Sequence, residues 1–266
     1  MAPEGGDLAN EHNVTDADRD RGRRAEEVAQ WYFRLNGFFL IPGFIVHPDA
    51  RRRTPRTEAD LLGIRLKGST EGIWRKRPTD YFANNVSPTP MKDHAMLTAT
   101  GKVGTVNRHL VAMVEVKAGQ CAINGPWSDR LELGRDTGQS NMERALARVG
   151  FGNRSEVSQA AEAMYGELRY EGREFVVQYF AVGRAISTDL AGRYPKLIQI
   201  SFDQIGTFLQ ERFSCFPEKI PTDRDMALWQ GFGDSFRWWF EGHSNPDARA
   251  CQAAVKRYID VGSCRG

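Results

Sequence analysis

The run HLVAMVEVKAGQ, residues 109 to 120, begins apolar and then carries an acid and a base two positions apart, Glu115 and Lys117. In a strand, alternate residues share a face, so Val111, Met113, Glu115 and Lys117 point one way and Leu110, Ala112, Val114 and Val116 the other. Charges inside such a run are costly to bury unless they pair with each other or hold an ion. Upstream, TEADLLGIRL (57 to 66) reads as a second strand in which Asp60 shares a face with Leu62, Ile64 and Leu66. If the two strands are neighbours, the Asp60 and Glu115 carboxylates reach one hard divalent cation, and a backbone carbonyl such as that of Val116 completes its shell. A cation so held lowers the pKa of a bound water, and Lys117 beside it is placed to orient or deprotonate that water. Glu26, on a helix earlier in the chain, approaches as a ligand directly or through water. Each residue also has a plainer reading: Glu115 and Lys117 as ion-pairing members of a solvated strand face, Asp60 as a polar edge residue, Glu26 as an ordinary helix flank. Glu58 falls on the Asp60 face by alternation and reads as a surface group or an outer support of the ligands.

The elements that must position these residues are legible in order. Residues 1 to 14 are polar and read as a loose tail. TDADRDRGRRAEEVAQWYFRLNG reads as a helix, capped by Thr15 with Asp18 in the first turn and ended by Gly37. At about 100° per residue, Val28, Ala29 and Tyr32 cluster with Ala25, Glu26 borders that stripe, and Glu27 faces solvent. FFLIPGFIV (38 to 46) reads as a strand interrupted at Pro42-Gly43, at a bulge or an edge. The loop HPDARRRTPR leads to the Asp60 strand, and residues 67 to 108 lack periodicity and read as an insertion between neighbouring strands. After the Glu115 strand, NGPWSD reads as a structured turn carrying Trp127. Two helices follow, in NMERALARVG and SEVSQAAEAMYGELRY, then strands in EFVVQYFAVG and KLIQISF. In the second helix Tyr165 reads as core. Residues 203 to 266 read as a helical extension whose FRWWF stretch suits packing or association.

The chain has 266 residues, enough for one large domain or a domain with an appended lobe. Its 36 basic and 34 acidic side chains leave a formal +2, which excludes a polycation of the histone kind. The basic charge is local: residues 19 to 77 hold 14 Lys and Arg against 7 Asp and Glu, an excess of +7 that leaves −5 for the remainder. RRRTPR supplies Arg51, Arg52, Arg53 and Arg56, and WRKRP supplies Arg75, Lys76 and Arg77 beside a Trp, a composition suited to phosphate contact and base stacking or to an ordinary charged surface. The four cysteines, Cys121, Cys215, Cys251 and Cys264, show no metal-site spacing and read as free thiols of a reducing compartment. No export signal or spanning segment is evident, and a cytoplasmic location is expected.

Taken in combination, GRRAEEVAQWYFRLNGF, EADLL and VEVKAG resemble the PD-(D/E)XK nuclease superfamily, in its Holliday-junction-resolvase-like branch, over roughly residues 20 to 183. The resemblance implies a restriction-endonuclease-like α/β fold, a central mixed sheet flanked by helices, spanning residues 15 to 202. It implies Glu26, Asp60, Glu115 and Lys117 as the catalytic signature, with Asp60, Glu115 and Val116 around Mg²⁺ or Mn²⁺. The activity it implies is hydrolysis of DNA phosphodiester bonds, in restriction or anti-phage defence, with partner subunits or a second copy of the chain. The long 67 to 108 segment departs from the family's short hairpin between these strands. The alternative is a catalytically inactive nuclease-like subunit that binds DNA or scaffolds a larger complex; a third reading, a partner-binding protein with no nucleic-acid role, leaves the basic first third unexplained.

Overall fold

The computed structural model describes residues 15–46, 57–67, 72–73, 89–90, 108–124, 135–148, 150, 153–214 and 231–265. The chain opens with α1 (Asp16–Leu35), started by Thr15, whose side chain accepts the Asp18 N–H, an N-cap worth about 1 kcal/mol. Ala25, Val28, Ala29, Trp31, Tyr32 and Phe33 are its buried residues. The helix ends at Asn36, and Gly37 follows with φ of +81°, the left-handed turn that glycine adopts without a Cβ clash. Next come β1 (Phe39–Val46), β2 (Thr57–Arg65), the short pair β3 (Gly72–Ile73) and β4 (Thr89–Pro90), and β5 (His109–Val116). Then follow α2 (Arg135–Arg148), α3 (Arg154–Glu167), β6 (Arg169–Glu171) and β7 (Phe175–Gly183). The chain continues through α4 (Thr188–Arg193), β8 (Ile198–Ser201), α5 (Phe202–Ser214), α6 (Phe232–Glu241) and α7 (Ala248–Val261).

Six strands form one mixed sheet in the order β1-β2-β5-β7-β6, with β8 also paired to β7. β2 runs antiparallel to both β1 and β5, while β5, β7 and β8 are parallel. The class expected from the sequence, α/β with helices flanking a mixed sheet, is the one observed. The 67 to 108 segment does separate two hydrogen-bonded neighbours. β5 is buried from Leu110 to Val116, which explains its near-continuous apolar run: a strand covered on both faces cannot alternate with polar residues. On one face Leu110, Ala112, Val114 and Val116 pack with α1, α5, α6 and α7. On the other, Val111 and Met113 pack with α2, α3 and Tyr179. Edge-to-face rings fasten α1 to the layers around it, Phe33 to Phe180 of β7 and Tyr32 to Phe208 of α5.

The sequence placed Glu27 toward solvent; the structure does not. α6 and α7 cover the flank of α1 opposite the sheet-facing stripe, and Glu27, half-buried there, accepts a hydrogen bond from the Tyr258 hydroxyl. The helical C-terminal segment thus shares a core with α1 and the sheet. The helix read over SEVSQAAEAMYGELRY ends at Glu167, before the last three residues of that stretch. Leu168 takes a left-handed φ of +59°, and Arg169 to Glu171 turn back as β6 to pair with β7. Halfway along β7 the outer neighbour changes from β6 to β8. There the buried Gln178 amide takes over the ladder's work: its Nε2 donates to the Tyr179 and Lys196 carbonyls at 2.9 Å each, while its Oε1 accepts from Arg169.

Beyond β5, the chain from Lys117 to Cys121 keeps running beside the end of β7. Lys117 N–H donates to the Val182 carbonyl at 2.9 Å and Cys121 N–H to the Ala185 carbonyl at 2.8 Å. Gly183 makes this approach possible, because a Cβ there would lie 2.7 Å from Cys121 N and 2.8 Å from Gly119 O, both backbone atoms that cannot swing aside. Gly183→Ala is therefore expected to destabilise the protein by about 1 to 3 kcal/mol, read as a lowered midpoint in urea unfolding.

Candidate functional site

Three parallel strands, β5, β7 and β8, end on one edge of the sheet, the edge at which open α/β sheets place their ligand sites. Because β2 is antiparallel to β5, the start of β2 meets the end of β5 on that same edge. The pairing runs from Arg65↔Leu110 to Leu61↔Val114, which brings Asp60, the residue before Leu61, to the end of β5 that carries Glu115. The distant segments that carry the two carboxylates are thus brought side by side.

Asp60 sits where the regular ladder gives way. The β1–β2 register skips Gly43 and Asp60 between Pro42↔Leu61 and Phe44↔Ala59, and Gly43 adopts a φ of +57°. Across the other edge of β2, the Val116 N–H donates to Asp60 Oδ2 at 2.6 Å, so a side chain replaces the main chain as β5's partner. The N–H and C=O of one strand residue point to the same side, which turns the Val116 carbonyl toward Asp60 as well. The strand expected to be interrupted at Pro42-Gly43 runs on from Phe39 to Val46, with an irregularity at Gly43 alone, across from Asp60.

Glu115 is 2% exposed. Lys117 Nζ donates to its Oε1 at 2.5 Å, and the Lys117 side chain is 45% exposed, reaching from the edge into the site. Glu115 Oε2 is buried with no hydrogen-bond partner. Burial pushes the Glu115 pKa up to about 7, and the nearby negative charge of Asp60 adds to the rise, while Lys117 and the Tyr179 hydroxyl pull it down. At Lys117, burial disfavours the ammonium, but Glu115, Asp60 and Glu26 together more than offset it and hold the pKa above the ordinary lysine value. Lys117 is thus held in its charged form in the metal-free protein. Glu26, half-buried on α1, lies close enough to act on Lys117 electrostatically.

The structure thus brings Asp60, Glu115 and Lys117 together, whereas Glu26, expected as a ligand directly or through water, is tied to them only by its charge acting on Lys117. Among the described residues, no three or more His, Cys, Asp and Glu side chains converge as a metal cluster. The oxygen donors on hand are the two carboxylates and the Val116 carbonyl. That set suits a hard divalent cation, and the unsatisfied Glu115 Oε2 is an acceptor such an ion would satisfy. Glu58's side chain, Trp127 and the basic residues Arg51, Arg52, Arg53, Arg56, Arg75, Lys76 and Arg77 lie outside what the structure describes. Gln159 is exposed on α3, and Tyr165 is buried, as its spacing implied. Cys121, Cys251 and Cys264 are buried free thiols. One residue at the site escaped the sequence reading. Tyr179 lies fully buried beside Glu115, and the only sequence signal for it was a lone phenol inside an apolar strand.

No family model, no curated protein and no solved structure matches the chain. Among the described residues, no helix is long and apolar enough to cross a membrane.

A raised carboxyl pKa has a stability consequence of definite sign. Between the ordinary glutamate value, 4.5, and about 7, the folded protein holds a proton that the unfolded chain has released, so folding weakens as pH climbs through that window. Without added metal, Glu115→Gln is expected to stabilise the protein by on the order of 2 kcal/mol near pH 8 and by little near pH 4.5, compared through denaturation midpoints at the two pH values.

Proposed function

We propose that this chain is a divalent-metal-dependent DNA endonuclease with a restriction-endonuclease-like core, hydrolysing phosphodiester bonds in restriction or anti-phage defence. The observation that carries the reading is the meeting of Asp60, Glu115 and Lys117 at the ends of two adjacent strands, with the ammonium on the buried carboxylate at 2.5 Å. Asp60 and Glu115, with the Val116 carbonyl, would hold Mg²⁺ or Mn²⁺. When bound, such an ion polarises a phosphoryl oxygen and lowers the pKa of a water. Lys117 supplies a fixed positive charge where negative charge develops on the phosphoryl group, and its three N–H donors can orient the attacking water. Glu26 helps hold Lys117 in its charged form. Burial of Glu115 keeps bulk water from competing for its oxygens. The basic segments at 51 to 56 and 75 to 77 supply charge for the nucleic-acid backbone on this reading.

The test is conversion of supercoiled plasmid to nicked and linear forms with Mg²⁺ or Mn²⁺. Glu115→Ala and Lys117→Ala are expected to lose at least about 100-fold in rate while keeping the wild-type circular dichroism spectrum, and Glu26→Gln to lose about 10-fold. Retardation of DNA by a wild type that never cuts it would instead assign the chain to the class of inactive nuclease-like binding subunits.

A further inference from the structure

Two polar atoms left without a hydrogen-bond partner in the buried interior belong to side chains that face each other: Oε2 of Glu115 and the hydroxyl of Tyr179. β5 and β7 are parallel neighbours, with Met113 paired to Tyr179 and Glu115 to Ala181. Side chains two residues apart on one strand share a face, so Met113 and Glu115 point to the side of the sheet on which the Tyr179 ring packs. Tyr179 therefore stands diagonally across from Glu115, within reach of a long aromatic side chain. The two side chains interact electrostatically, and the Asn124 backbone also bears on the hydroxyl. The hydroxyl acts on the carboxylate as a hydrogen-bonding partner, while neither Oε2 nor the hydroxyl has a bond of ordinary length and angle.

The chemistry of the pair is complementary. A phenol offers one O–H donor, and an ionised carboxylate offers only acceptors. Burial pushes the Tyr179 pKa well above the ordinary phenol value, which keeps the donor proton in place. Lys117 occupies only the other oxygen of the carboxylate, Oε1. A phenylalanine would fill the same apolar space among Val111, Met113, Met142 and Met164 without burying a polar atom, so packing alone gives no reason for the hydroxyl.

We propose that Tyr179 is a positioning residue for Glu115, its hydroxyl donating to Oε2 from the interior side and fixing the carboxylate plane so that the group meets a divalent cation shared with Asp60 in one orientation. The inference rests on the metal-dependent reading of the site for its consequence, but the contact itself belongs to the metal-free protein. It assigns the interior of the sheet a part in the site: β2 and β5 supply the ligands, and β7 supplies the brace.

The test is Tyr179→Phe, followed by two measurements. Calorimetric titration with Mn²⁺ is expected to show affinity about 10-fold weaker than wild type, the usual cost of removing an outer support of a ligand. In metal-free protein at alkaline pH, where Glu115 is ionised, its carboxyl ¹³C resonance, assigned through Glu115→Gln, is expected to move. A resonance left in place overturns the proposal, because the hydroxyl then makes no contact with the carboxylate. Unchanged Mn²⁺ affinity beside a wild type that binds Mn²⁺ through Asp60, as judged by loss in Asp60→Asn, also overturns it while leaving the nuclease reading intact. If the wild type binds no Mn²⁺, the nuclease reading fails and the resonance alone decides the contact. Should Tyr179→Phe fold poorly, Tyr179→Met, which removes the hydroxyl without adding a donor or volume, repeats both measurements.

Discussion

A buried carboxylate next to a second carboxylate is a costly thing for a sheet to hold, and the arrangement around Glu115 follows from that cost. Burial and the charge of Asp60 both work against its ionised form, and a half-exposed ammonium and the Tyr179 hydroxyl work for it. In water such a cluster would relax by moving apart. Here it cannot, because Glu115 is fixed by a strand buried from Leu110 to Val116 and Asp60 is tied to the same strand through the Val116 N–H. The electrostatic tension is therefore a property of the backbone as much as of the charges. It is relieved by a proton or by a cation, which is how a structural observation becomes a chemical one.

The backbone makes room for this in two ways. At the open side, Gly43 and Asp60 drop out of the β1–β2 ladder, and a carboxylate takes the place of a main-chain acceptor. At the closed side, the chain leaving β5 is pressed against Gly183 so closely that no side chain fits between them. Lys117 begins that pressed segment, and its own N–H is tied to Val182. The ammonium thus departs from a main chain with little freedom, and its reach to Glu115 loses less entropy than it would from a loop.

The C-terminal helices bear on the same site from a distance. α1 carries Glu26, and the direction in which α1 faces is set on both flanks. Its buried stripe meets the sheet and α5, while Glu27 and Arg24 engage α7, the former through Tyr258 and the latter through the carbonyls of Ile259 and Asp260. A helix held on one side only could roll, and a roll of one residue's angular step, about 100°, would carry Glu26 away from Lys117. In this respect the helical extension, set apart from the core when read along the chain, belongs to the machinery that aims an acid at the site.

The amino-acid sequence by itself determined most of the elements and the identity of the four polar residues, because period-2 and period-3.6 patterns are local and a charge pair in an apolar strand stands out against them. It determined the Thr15 cap and the irregularity at Gly43 for the same reason: both are written within a few residues. It did not determine that Glu27 is covered, that β6 and α4 exist, or that Tyr179 lies beside Glu115. Those depend on which strands are neighbours and which helix covers which flank, contacts between residues up to 236 positions apart that leave no periodic mark. Only the tertiary structure decided that Asp60 and Glu115 meet at the end of one pair of strands. That proximity, rather than the presence of two acids in the chain, gives the carboxylates their chemistry, since charges act on one another steeply with distance and more strongly where water is excluded.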